Sequence, residues 1–165
     1  MEIKLRKWHS YGYLDDIVLR VKDYPSIGWG YTTTDPMLVK KYGFKKILYD
    51  FEYFLPIKDI AHTRGFYSYV GCKYKGYKCF VHSYGKNEKK FCVAIPEDLA
   101  LTIGIDGYRW GHETPSMDVP LSDLDEIFRS RKKIGDFIFD VDPIKPIYKD
   151  GKWLIEPDEN GVYVI

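Results

Sequence analysis

The chain has 165 residues, 45% of them hydrophobic and 17% aromatic, and its 30% of charged residues leave a net charge of +1. Apolar residues spread over the whole length exclude a disordered chain, and the length suits one domain, expected to span 1–165. No apolar run approaches the roughly 18 residues a membrane helix needs, and the alternating opening Met-Glu-Ile-Lys-Leu-Arg-Lys-Trp lacks the apolar block of an export signal. No membrane partner and a cytoplasmic location are therefore expected.

The charges are sorted along the chain. Residues 1–90 carry 17 Lys/Arg against 9 Asp/Glu, and residues 91–165 carry 8 against 15. A fold that keeps this separation presents one face to anions and another to basic surfaces. Gln is absent, Ala scarce, and Lys, Ile, Tyr and Phe plentiful, the bias of A/T-rich codons. A bacterial or phage source is the expectation.

In chain order, Ile3–Trp8 alternates and Asp16–Val21 is β-branched, so both read as strands. Asp35, Pro36 and Gly43 have the order of an N-cap, an N1 proline and a C′ glycine, which predicts a helix over 36–42. Phe44, Ile47, Leu48, Phe51, Phe54 and Leu55 follow helical spacing and predict a second helix, ended by Pro56. Three aromatic and β-branched stretches, 66–73, 77–84 and 89–95, are separated by turn residues and predict an antiparallel meander. A short helix follows Pro96, and 104–120 reads as a long loop. Ser122 and Asp125 mimic a capping box, with acidic residues in the following turn and Arg129, Arg131, Lys132 and Lys133 at the far end. A helix over 122–134 is predicted from this order. Strands are expected at 137–141, 144–148, 152–155 and 162–165, with Asp150-Gly151 as a hairpin turn. The fold class expected is α+β: a single domain of β-meander and hairpins with two to four short helices.

No phosphate-binding loop, dinucleotide fingerprint, nucleophile elbow or HExxH is present, so no catalytic residue and no cofactor are assigned and an enzyme is disfavoured. Cys72, Cys79, His82 and Cys92 lie in the meander without a C-x2-C knuckle. Cys79 and His82 have an odd offset that points them to opposite faces of a strand, so no metal site is assigned. An odd number of cysteines in a chain this long reads as free thiols. For an enzyme on nucleic acid or nucleotides, the only polar constellation is His62, Arg64, Arg109, His112 and Glu113; Asp123/Asp125 and Asp140/Asp142 are explained by capping and turns. A nucleic-acid-binding module would use Lys73, Lys75, Lys78, Lys89 and Lys90, with Lys86, interleaved with Tyr67, Tyr69, Tyr74, Tyr77, Tyr84 and Phe91 as stacking faces.

The loop 104–118 gathers residue types that dominate interface hot spots. The leading expectation is a macromolecule-binding protein of the inhibitor or immunity type. Its partner would be a protein with a basic surface, met by Tyr108, Arg109, Trp110, His112, Glu113, Asp118, Asp123, Asp125 and Glu126.

Overall fold

The structure is a computed structural model and describes residues 2–5, 8–47, 51–85, 90–105 and 114–165. Among the described residues strands take 54% and helices 13%, so the class is mainly β and the expected α+β class is corrected. Among the described residues no helix is long and apolar enough to cross a membrane. The chain divides into two compact units, one of Trp8–Ser68 and Arg131–Asp142, the other of Met1–Lys7, Tyr69–Ser130 and Pro143–Ile165.

The Trp8–Ser68 unit is an antiparallel sheet. Its strands β2 (His9–Leu14), β3 (Ile17–Tyr24), β4 (Gly28–Thr33), β6 (Tyr53–Pro56) and β5 (Lys45–Lys46) lie in that spatial order, and the start of β7 (Gly65–Tyr74) pairs with β2. Helix α1 (Pro36–Tyr42) is the one its caps specify: Asp35 Oδ1 accepts from Met37 N at 2.8 Å and Gly43 closes it in the left-handed region. The helix expected from Phe44 is not formed. Phe54 and Leu55 instead point to opposite sides of β6, Phe54 over Gly30 and Leu55 into the core around Val21, Tyr31, Phe44 and Phe137, while Phe51 is exposed. Residues 48–50 lie outside the described residues.

The other unit holds the predicted meander. The end of β7 pairs antiparallel with β8 (Tyr77–Gly85), β8 with β9 (Lys90–Ala94), and β9 with β10 (Ser116–Pro120), a strand inside what reads as loop in the sequence. Lys75 and Gly76 both have positive φ, 50° and 80°, the paired left-handed geometry of a tight two-residue hairpin. Helix α2 (Glu97–Thr102) buries Leu99 and Ala100. The helix expected over 122–134 is a strand, β11 (Leu124–Lys132), paired with β12 (Ile144–Lys149), which turns through Asp150-Gly151 into β13 (Lys152–Trp153). A parallel pair, β1 (Glu2–Lys4) with β14 (Val162–Val164), completes the unit. Of the strand expected at 137–141, Ile138 makes only an isolated bridge to Arg64.

The pairing of β11 with β12 shifts register between Ile127 and Phe128, where Ile147 of β12 is the extra residue of a bulge; Ile127 and Phe128, adjacent on β11, are both buried, on opposite faces by ordinary strand alternation. Ile127 enters the core of Val70, Cys72, Val81, Phe91 and Val93, and Phe128 lies against Gly71. Each fully buried side chain of this size contributes about 1.5–3 kcal/mol, so β11, covered on both sides, contributes to the packing of both faces.

Candidate functional site

Strand alternation sorts the meander residues. Tyr74 and Phe91 are buried in the core and Tyr77 and Tyr84 pack half-buried against it, whereas Tyr69, Lys73, Lys78 and Phe80 occupy the opposite side of β7 and β8. On that side Tyr69 and Phe80 stack at 5.5 Å with planes 29° apart, and His82, the extra residue of a second bulge, meets Phe80 edge-on at 4.9 Å. Tyr69, Lys78, Cys79 and Phe80 line an open cleft of about 290 Å³. Lys78 is exposed and its ammonium lies 5.3 Å from the centre of the Phe128 ring, so its stem is held over apolar surface while its charge faces water.

The other lysines divide. Lys73 pairs with Glu126 at 2.9 Å, a carboxylate whose side chain is only 9% exposed, and this bond consumes both charges. Lys75 sits over the Tyr74 ring at 5.6 Å in the hairpin turn, Lys90 is exposed at the start of β9, and Lys86 and Lys89 lie outside the described residues.

Of the acidic set, Asp118, Asp123 and Asp125 are exposed: Asp118 on β10, Asp123 in the turn before β11, and Asp125 on β11. Glu126 is spent on Lys73. Tyr108, Arg109, Trp110, His112 and Glu113 lie outside the described residues, as does Asp106. The charge sorting seen along the chain becomes balance in space: one unit holds 14 Lys/Arg against 14 Asp/Glu, the other 11 against 10.

His62 and Arg64 do not converge. His62 Nδ1 pairs with Asp59 at 2.8 Å with its side chain 82% exposed, and the Arg64 Nε donates to both oxygens of Asp140 at 2.7 and 2.8 Å while its guanidinium caps the Tyr13 ring at 4.0 Å. Both are surface pairs built within their own neighbourhoods, and such pairs contribute little to stability.

The thiols separate as well. Cys72 and Cys79 are opposite one another on β7 and β8 and face the core; Cys92 is on the other side of the sheet, opposite Ser83 and Asp118. The hydrogen bond between the two core thiols, together with burial, pushes Cys72 well up, and the same bond pulls Cys79 down. Among the described residues no three His, Cys, Asp or Glu side chains gather as metal ligands would.

A second concavity, of about 320 Å³, lies within the Trp8–Ser68 unit and is lined by Trp8, Ser10, Asp23, Trp29 and Tyr67 among others. Composition gave no reason to join these residues. A period-2 reading of 77–84 would have separated Lys78 and Phe80 from Cys79 and Val81, but the clustering of Trp8 with Trp29 depends on register between strands. Compared with known proteins, the chain matches no family model, no curated protein and no solved structure.

Proposed function

We propose that this protein is a binding protein for single-stranded nucleic acid, which it meets with the β7–β8 face that carries Tyr69, Lys78, Phe80 and His82. The observation that carries the reading is the stacked, half-exposed Tyr69–Phe80 pair beside an unspent lysine on an open cleft. Bases of any sequence stack on such rings, and a lysine held on an apolar shelf supplies a phosphate contact. Titration of a labelled single-stranded RNA decamer, followed by anisotropy at low salt, tests it. Phe80→Ala should weaken binding by about 1–3 kcal/mol, and Lys78→Met, which keeps the stem over Phe128, should lower the salt slope by about 0.7. Binding indifferent to both substitutions, or absent in 50 mM salt (about the lower end of the range in which such contacts are normally measured), overturns the reading.

A second reading, a basic protein partner of the kind an inhibitor or immunity protein would have, is favoured by the exposure of Asp118, Asp123 and Asp125 around β10 and its turn. Rim charges act on association rate, so reversing all three to Lys should slow the partner's association and flatten its salt dependence.

A further inference from the structure

The geometry points to a site for a quaternary ammonium group in the cleft of the Trp8–Ser68 unit, and we propose a small trimethylammonium compound of the choline class as its ligand. Pairing across the sheet brings the residues together. Ser10 is opposite Tyr67, and Asp23 is opposite Trp29, so each pair shares a face, and Trp8 joins them on the cleft wall. Trp8 is 54% exposed, far more than a core tryptophan, and Trp29 is braced edge-on against Phe137 at 5.2 Å. One wall is therefore rigid and the other open to solvent.

Charge decides the class of ligand. Arg20 and Lys22 also line the cleft, but strand alternation puts their side chains on the opposite side of β3 from Asp23, where their charged ends share Glu52 at 3.5 and 2.9 Å. Asp23 is exposed and has no counter-ion among the described residues. Aromatic faces present the negative side of their quadrupole, and a carboxylate beside them adds a full negative charge. A methylated ammonium fits both: it is a cation that donates no hydrogen bond, is poorly hydrated for its charge, and is apolar on its surface. A primary ammonium loses more hydration on entering such a cleft, and an anion meets the Asp23 carboxylate and the negative ring faces.

The test uses the full chain and tryptophan fluorescence, with choline chloride, its neutral carbon isostere 3,3-dimethyl-1-butanol, a trimethyllysine peptide and a neutral disaccharide as probes, at constant ionic strength. Choline should give a saturable change, and the isostere should bind at least about tenfold more weakly. Trp8→Ala should weaken choline about tenfold with Trp29 still reporting, and Asp23→Asn several-fold; both sites are exposed, so the fold is kept. Tighter binding of the peptide than of choline assigns the ammonium to a protein and overturns the small-molecule ligand. Equal binding of isostere and choline, a disaccharide that outcompetes choline, or no saturation by any probe overturns the cation site. RNA binding by Trp8→Ala should remain normal, which separates failure here from failure of the nucleic-acid reading.

Discussion

Gly71→Ala tests the central departure of the fold from its sequence pattern. Gly71 lies in mid-strand with an ordinary negative φ, so alanine there would normally stabilise by about 0.4–1 kcal/mol, because the unfolded chain loses freedom. Space reverses the sign. A β-carbon at Gly71 would come 2.6 Å from Cε2 and Cζ of Phe128 and 3.2 Å from the Cys79 carbonyl oxygen. Phe128 is 1% exposed and has little room to retreat. Overpacking of this kind costs about 1–3 kcal/mol, leaving a net loss of about 0.5–2 kcal/mol. For a chain of this length that lowers Tm by roughly 1–8 °C, read by circular dichroism. Phe128→Leu should relieve the clash, so the double variant should be more stable than the two single losses add up to, by about 0.5–2 kcal/mol. If Gly71→Ala stabilises the protein, Phe128 does not lie over Gly71, and the placement of β11 fails with it.

Two further outcomes follow from the same strands. Lys73→Met should cost about 1–2 kcal/mol and Glu126→Gln less, since only the first leaves a nearly buried carboxylate unpaired; equal losses in thermal melts would show that Glu126 is solvated after all. Under native conditions iodoacetamide should label Cys92 first, since it alone is off the core, and Cys79 ahead of Cys72, because their shared hydrogen bond favours the Cys79 thiolate and holds the Cys72 proton. Raising the pH should speed Cys79 before Cys72; peptide mapping showing Cys72 labelled first would contradict the opposite directions in which the two thiols are pushed.

What the sequence made legible was local. Asp35, Pro36 and Gly43 act within one turn of α1, and Lys75-Gly76 and Asp150-Gly151 act within one hairpin, so these elements formed where their residues specify. The stretch 122–134 misleads for an identifiable reason. Leu124, Ile127 and Phe128 have the i, i+3, i+4 spacing of a helix face, but a strand covered on both sides generates the same spacing, because adjacent residues such as Ile127 and Phe128 are buried on opposite faces. The next helical position, Arg131, already breaks the stripe, and its guanidinium lies 5.8 Å from the centre of the Phe66 ring. The acidic residues that resemble a capped first turn are in fact divided by the strand between water, at Asp125, and Lys73, at Glu126.

The same division explains why charge along the chain was a poor guide to charge on the surface. Lys73 comes from the basic half and Glu126 from the acidic half, and antiparallel packing brings them to 2.9 Å; Arg64 and Asp140 repeat the pattern 76 residues apart. Each such pair removes one cation from the basic half and one anion from the acidic half. A segment's net charge therefore predicts a surface field only if its neighbours in space come from the same segment, and a sheet built from distant strands violates that condition. What remains for recognition is charge left without a cross-strand partner, and two such charges, Lys78 on β8 and Asp23 on β3, stand beside aromatic rings that reach solvent. The identity of a ligand is thus set by the residual charge and the rings next to it, with Lys78 and Phe80 suited to a phosphate and a base, and Asp23 and Trp8 suited to a cation with an apolar surface.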